Sequence, residues 1–131
     1  MERAKVALDP ARTPVVRNAA ALLAAEEAAA LDWMLLRLSG HSVAAGPELT
    51  ATIIRAGLAR SRPGARNALV TAFRSDDPEL RLAALNLAPL APREAVEVEV
   101  TGLAAHDPDA RVREQAAHWL ARTQKKDDGA G

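Results

Sequence analysis

The chain has 131 residues, enough for one domain, and its 17 basic and 17 acidic side chains leave no net charge. It has two tryptophans, one phenylalanine and no cysteine, which excludes disulfides, thiolate metal sites and cysteine nucleophiles. Apolar residues make up 49% of the chain, but no stretch reaches the ~18 apolar residues of a membrane span. No signal-peptide pattern follows Met1 to Lys5, so we expect a cytoplasmic protein without a membrane partner.

A four-residue motif recurs along the chain, as Pro-Val-Val-Arg, Pro-Glu-Leu-Thr, Pro-Glu-Leu-Arg and Ala-Arg-Val-Arg. Its fourth residues are Arg17, Thr50, Arg81 and Arg113, which lie 33, 31 and 32 residues apart. Apolar or small residues at offsets of −1, +3 and +6 from each fourth residue share one helix face. A period in this range indicates stacked helical units, whose extended surfaces usually bind macromolecules.

The predicted elements, taken in chain order, are helices. Residues 1–12 are charged and interrupted by a proline, which predicts a loose arm or a short capping turn. A helix is expected at about 14–25 and a second from Glu26 to Leu38, followed by a loop from Gly40 to Gly46. The polar residues 125–131 predict a flexible tail. Further helices, making roughly seven in all, are expected at about 47–60, 64–75, 78–89, 93–105 and 109–123.

The segment 95–101 is ambiguous because apolar and charged residues alternate there with a period of two. Taken alone, that alternation is typical of an edge strand. However, an alignment at a step of 30 places Val100 to Leu103 over Val70 to Phe73, which belong to a predicted helix. A single strand would also have no partner to pair with. We therefore predict a helix.

The two segments Asp77 to Ala84 and Asp107 to Ala117 resemble the HEAT-repeat family in its short bacterial form. Leu85 to Ala117 is also similar to the related leucine-rich-repeat variant, and the resemblance is clear over 63–121. It implies an all-α, right-handed α-solenoid of about four helix pairs, the first of them incomplete. The implied single domain spans 1–124, with units near 13–40, 47–75, 78–106 and 109–124.

The resemblance also implies a structural role for four charged residues. In HEAT repeats, the aspartate of the turn and the arginine of the following helix tend to interact between neighbouring units. By this resemblance, Asp77, Arg81, Asp107 and Arg113 would form a ladder along the stack.

Charge is unevenly distributed along the chain. Five arginines and no acidic residue lie between positions 50 and 75, whereas eight acidic residues and two arginines lie between 76 and 109. A basic patch can bind an acidic protein or phosphate, and two opposite patches can drive salt-sensitive head-to-tail self-association. The candidate partner-binding side chains are Arg55, Arg62, Arg66 and Arg74, with the loop at 40–46 as a specificity element.

The interpretation that we favour is a non-catalytic protein–protein interaction module or scaffold, which binds another protein and uses no cofactor. Trp119 is a candidate interface anchor, although its equivalence to Leu87 favours burial. The alternative is a nucleic-acid-binding accessory domain that uses the basic patch from Arg55 to Arg74; zero net charge and few aromatics argue against it. A third hypothesis is a degenerate enzyme of the HEAT-like DNA glycosylase type, suggested by Asp32-Trp33.

Metal binding is not expected from the three histidines, which are far apart in sequence. Glu114 and His118 lie four residues apart on one predicted helix face and offer only two ligands. Two ligands do not make a site, so the pattern indicates an exposed side-chain pair rather than a metal centre.

Overall fold

The computed structural model describes residues 1–40 and 45–130, with side chains described through Thr123, and all the regular structure in this part is helical. The all-α prediction is confirmed for these residues. A short 3-10 turn, Ala88–Leu90, follows the sixth helix. The eight α-helices are α1 (Glu2–Ala7), α2 (Pro14–Ala24), α3 (Ala28–Ser39), α4 (Pro47–Ala59), α5 (Gly64–Phe73), α6 (Pro78–Leu87), α7 (Arg93–His106) and α8 (Ala110–Ala130).

The helices that begin with the repeated motif carry recognisable start signals. α2, α4 and α6 each have proline at the first helical position, where the missing N–H would have no partner in any case. The Thr13 hydroxyl accepts a hydrogen bond from the Val16 N–H, and the Asp77 carboxylate accepts one from the Glu79 N–H at 2.9 Å. These side chains satisfy first-turn donors, so the helices begin where the sequence predicts.

The ambiguous segment 95–101 is helical, as we predicted, because it lies within α7. Val96 and Val100 are fully buried, whereas Val98 between them is exposed. Spacing of four residues keeps two valines on the buried face, so the period-two alternation in sequence does not prevent an amphipathic helix.

Both ends of the chain are more helical than expected. Residues 1–12 contain α1, and its Ala4 and Ala7 are fully buried against the core. At the other end, α8 continues to Ala130, through most of the segment 125–131 that we expected to be a flexible tail. No proline interrupts that segment and its lysines favour helix, so the backbone helix continues from the preceding turns.

The helices form two layers. The even-numbered helices α2, α4, α6 and α8 pack in order along one layer, and the odd-numbered helices pack in order along the other. Each odd helix also packs on the even helix that follows it, so the pairs are α1–α2, α3–α4, α5–α6 and α7–α8. We expected units near 13–40, 47–75 and 78–106. α4 packs on α5 as extensively as on α3, whereas α2 with α3 and α6 with α7 have marginal contact at most.

The fourth residue of the repeated motif has the same contact in all four pairs. Its side chain donates a hydrogen bond to a backbone carbonyl at or next to the turn that joins the two helices of its own pair. These bonds join Arg17 to the Ala7 carbonyl at 2.8 Å, Thr50 to Ala45 at 3.3 Å, Arg81 to Ser75 at 2.8 Å and Arg113 to Asp107 at 2.7 Å.

Of the predicted ladder, the structure brings Arg81 and Asp107 together. The guanidinium donates to both carboxylate oxygens, at 2.7 and 3.0 Å, and both side chains are buried. Asp77 caps α6, and Arg113 contacts the backbone of Asp107 rather than its carboxylate. The buried pair thus links the third helix pair to the turn of the fourth.

The core between the layers contains much alanine and allows close helix contacts. Gly57, in the middle of α4, lies at such a contact: a Cβ built there would lie 2.9 Å from the Ala65 Cβ and 2.9 Å from a Leu35 methyl. The Ala65 Cβ is fixed to its own backbone and cannot move aside. Glycine is therefore required where α4 crosses α5.

We predict that Gly57→Ala lowers the free energy of unfolding by about 1–3 kcal/mol, because overpacking outweighs the better helix propensity of alanine. Gly102→Ala is the matched control, since no atom lies within 4 Å of the position that a Cβ would take there, on the exposed face of α7. It should raise the free energy of unfolding by about 0.5–1 kcal/mol. Urea denaturation of both variants measures the difference, and equal effects would contradict the close crossing at Gly57.

We also predict that Asp107→Asn lowers the free energy of unfolding by about 3–5 kcal/mol, because it leaves the buried Arg81 guanidinium without its counter-charge. Asp9→Asn is the control, since Asp9 and Arg12 form an exposed pair at 3.6 Å. Its effect should stay below about 1 kcal/mol. Thermal or urea unfolding that showed the same small loss for both variants would rule out an energetic role for the buried pair.

Candidate functional site

Three of the four candidate arginines are engaged in ion pairs within the molecule. Arg62 donates to both carboxylate oxygens of Asp32, at 2.8 and 2.6 Å. The Arg74 guanidinium lies 2.5 Å from a Glu99 oxygen. Arg66 approaches an oxygen of Glu94, at 3.9 Å. These pairs connect neighbouring units, so the run of arginines in the sequence is not a single-sign patch on the surface.

The acid–base equilibria favour these pairs. The hydrogen bond from Arg62 lowers the pKa of Asp32, with a further contribution from the opposite charge, although partial burial opposes the shift. The hydrogen bonds to Asp32 and Glu99 raise the pKa values of Arg62 and Arg74, respectively. Both partners of the Asp32–Arg62 pair, and the Arg74 side chain, are thus held in their charged forms.

Arg55 differs from the other candidate arginines. It is exposed on α4 and forms no ion pair with any residue in the described ranges 1–40 and 45–123. It lines a shallow groove that runs over α4, α6 and the start of α8. The groove is lined by Pro47, Glu48, Ala51, Arg55, Glu79, Leu82, Ala83, Asn86 and Gln115.

The groove combines an apolar floor with a charged rim. Ala51, Leu82 and Ala83 are half-buried and leave room above the helices, because two of the three side chains are single methyl groups. Glu48 and Glu79 lie on the same surface as Arg55. A bound chain would therefore meet apolar contacts, one unpaired cation and two carboxylates.

Polar contacts between neighbouring even helices hold the rim of the groove. The Asn18 amide on α2 donates to Glu48 at 3.0 Å and accepts from the Thr52 hydroxyl at 2.9 Å. Arg111 on α8 lies 2.9 Å from an oxygen of Glu79 on α6. Glu48 and Glu79 at the rim therefore already have fixed partners, which reduces the entropy lost when a ligand binds.

A second rim contact joins α6 and α8, where the Gln115 amide donates to the Asn86 side-chain oxygen. Both residues line the groove. Together with the Arg111–Glu79 pair, it ties the two helices at successive turns along the same surface.

The remaining candidates lie elsewhere. Trp119 is 8% exposed and belongs to the core, so its indole is not displayed as a surface anchor. Asp32 is engaged with Arg62, and the neighbouring Trp33 ring stacks with the Arg37 guanidinium at 5.2 Å. Of the loop at 40–46, positions 41–44 lie outside the described residues.

Sequence reasoning singled out Arg55 but missed its neighbours in the groove. Apart from Pro47, they occupy the offsets −2, +1, +2 and +5 from the fourth residue of each repeat. Those offsets are the outward counterpart of the buried offsets −1, +3 and +6. Alignment of the repeats by their exposed positions would have grouped them.

Two further features are absent from the described part of the chain. No group of three or more histidine, aspartate or glutamate side chains there is placed to hold a metal ion. None of the helices in the described ranges combines the length and the apolar character that crossing a membrane requires.

Comparison of the chain with protein-family models, curated proteins and solved structures finds no match.

The pKa of Asp109, at the start of α8, provides a pH-dependent test of this surface. Hydrogen bonding from the Arg111 side chain, which also contacts Glu79 at the groove, is the main cause that lowers this pKa from 3.8 to about 2. A lowered pKa means that the ionised form stabilises the fold above the ordinary value. That stabilisation is lost as the pH falls from 3.8 towards about 2.

We predict that Arg111→Gln moves the pKa of Asp109 up towards 3.8 and weakens the loss of stability over that pH range. Arg122→Gln removes the same charge farther along α8 and is the control, which should leave this pKa unchanged. Carboxyl ¹³C shifts measured against pH give the value directly. An Asp109 pKa near 3.8 in the unmodified protein would contradict the contact with Arg111.

Proposed function

We propose that this protein is a non-catalytic protein-interaction module, built as a HEAT-like right-handed helical stack, that binds a segment of another protein in the groove over α4, α6 and α8. The observation that carries the proposal is the exposed Arg55, which has no ion-pair partner among the described side chains, beside the apolar floor of that groove. The other three candidate arginines are neutralised by carboxylates of the same chain.

The stacked-repeat architecture is supported by equivalent contacts in successive pairs. The donor side chains at the fourth motif position recur with the period of 33, 31 and 32 residues seen in the sequence. The turn before α8 also repeats that before α6, since Asp107 and Ser75 each accept from the N–H two residues on. Equivalent contacts at a fixed period are typical of repeat proteins, whose units present one extended surface.

The chemistry of the groove points to a peptide ligand. Methyl groups and the Leu82 side chain offer apolar contacts to a bound chain, and Arg55 offers a bidentate donor to one carboxylate of the ligand. Glu48 repels additional acidic groups and disfavours a polyanion, whereas the charge of Glu79 is balanced by Arg111. We therefore expect an apolar segment with an acidic residue rather than a uniformly charged one.

The two rival functions receive less support from the same contacts. Nucleic acid binding needs several free cations along a track, but Arg62, Arg66 and Arg74 already face carboxylates. A glycosylase-like role for Asp32 needs a carboxylate that is available to a substrate, whereas both its oxygens accept hydrogen bonds from Arg62.

The test is selection of a phage-displayed random peptide library on the purified protein, repeated with Arg55→Glu and with Arg66→Glu. Wild-type protein should enrich peptides that combine apolar residues with Asp or Glu. Arg55→Glu should lose these peptides by at least about tenfold in affinity, because a charge-assisted contact is replaced by repulsion. Arg66→Glu makes the same charge change outside the groove and should retain them.

Ala83→Arg, which fills the floor of the groove, should abolish binding of the selected peptides in fluorescence anisotropy. The proposal fails if the library yields no enrichment over bare resin, or if Arg55→Glu and Ala83→Arg bind the selected peptides as well as wild type. Tight binding of a labelled DNA or RNA oligonucleotide at about 50 mM salt, lost as salt rises, would instead favour the nucleic-acid alternative.

A further inference from the structure

An apolar stripe runs along the exposed side of α2. Its members lie three and four residues on either side of a central alanine and so share one face of the helix. Within the described ranges 1–40 and 45–123, no side chain covers this face, and four of its five members are among the exposed large hydrophobic residues. The α2 stripe consists of Val15, Val16, Ala19, Leu22 and Leu23.

The stripe includes positions that are covered in the later helices of the same layer. Val16 is 44% exposed, whereas Val112, at the same repeat position in α8, is fully buried. Leu23 is 47% exposed, whereas its equivalents Leu87 and Trp119 are buried. In each later pair, the preceding even helix lies alongside. The first even helix thus keeps an apolar edge for a neighbour that the described residues do not supply.

The exposed side of α8, at the opposite end of the layer, is not complementary to the α2 stripe. The outer side of α8 exposes Glu114, His118 and Arg122, with only alanine methyl groups between them. A polar outer face is what a terminal unit needs to end a stack in water. Head-to-tail stacking of two copies would bury those charges against the α2 stripe, so it is disfavoured.

The stripe is instead complementary to itself when it is reversed. Ala19 lies at its centre, with two large apolar residues on each side. Arg12 lies seven residues before Ala19, in the turn before α2, where it pairs with Asp9 at 3.6 Å, and Glu26 lies seven residues after Ala19, in the turn that follows α2; both are exposed. In an antiparallel pair, Ala19 faces its own copy and each Arg12 approaches Glu26 of the other copy. The small side chain at the crossing point lets the two helices come close.

We propose that two copies of this chain form a two-fold symmetric dimer in which their α2 stripes pack antiparallel. The contact is isologous, so it closes at two copies and does not propagate into a fibre. It does not depend on the proposed peptide groove, which is formed by α4, α6 and α8. It also differs from the head-to-tail association expected from charge blocks, because apolar contacts rather than ion pairs supply most of the affinity.

The strength of the dimer follows from its size. Two helices of 11 residues bury less than the roughly 1,000 Å² that stable complexes bury. The dissociation constant is therefore expected in the micromolar range or weaker, at about 10–100 μM. Sedimentation velocity from about 5 to 500 μM covers the transition between monomer and dimer.

Ala19→Glu is the decisive variant, because it places two carboxylates against each other on the two-fold axis while keeping a good helix former at an exposed position. It should remain monomeric over the whole concentration range and keep the wild-type circular dichroism spectrum. Leu36→Glu, on the exposed side of α3, is the matched control and should dimerise like wild type. A wild-type protein that stays monomeric, or a dimer that survives Ala19→Glu, overturns the proposal.

A charge swap tests the antiparallel register. Arg12→Glu alone and Glu26→Arg alone should each weaken the dimer severalfold, and the double variant should restore it, because only antiparallel packing brings these two positions together. Failure of the double variant to restore dimerisation overturns the register. Dimerisation that persists in about 0.5 M NaCl supports the apolar contact, and dissociation there would indicate charge-driven association instead.

Discussion

The structure depends on a hydrogen bond from one side chain of each helix pair to a backbone carbonyl at or beside that pair's own turn. Such carbonyls would otherwise lose their hydrogen bonds to water as the pairs stack. The Arg81 guanidinium donates to the Ser75 carbonyl through one nitrogen, and its other two nitrogens donate to the Asp107 carboxylate in the next turn. Thr50 has one hydroxyl and reaches only its own turn. At this position arginine therefore has donors for a second contact with the next pair, whereas threonine has none.

Stacking also explains why blocks of charge along the sequence do not become patches on the surface. Partners such as Arg62 and Asp32, or Arg81 and Asp107, are 30 and 26 residues apart, close to one repeat period. Residues about one repeat period apart in the sequence lie at equivalent positions in neighbouring helix pairs. Basic and acidic blocks therefore face each other across the boundary between helix pairs, as Arg66 and Arg74 of the first block face Glu94 and Glu99 of the second.

Sequence periodicity was sufficient for the helices and insufficient for how they pair. Apolar spacing and helix-start signals located α2 to α7 within a few residues, because both are local properties. Helix caps are equally local, and Asp77 before α6 and Asp109 before α8 each accept a hydrogen bond from the N–H two residues on. Pairing depends on contacts between distant segments, and the burial of α1 against them is likewise not encoded in its charged sequence.

The two surfaces that we propose for binding are separate because the even-numbered helices pack in chain order along one layer. Along the even layer, each helix has a leading edge covered by the helix before it and a trailing edge that covers the next. The leading edge of α2 and the trailing edge of α8 are therefore the two ends, and their composition differs, apolar at one and polar at the other. The groove crosses the middle of the layer, on its outward side. Covering the α2 edge leaves that groove open, so association of two copies would present two equivalent grooves to their ligands and raise the avidity for a partner that carries two binding segments.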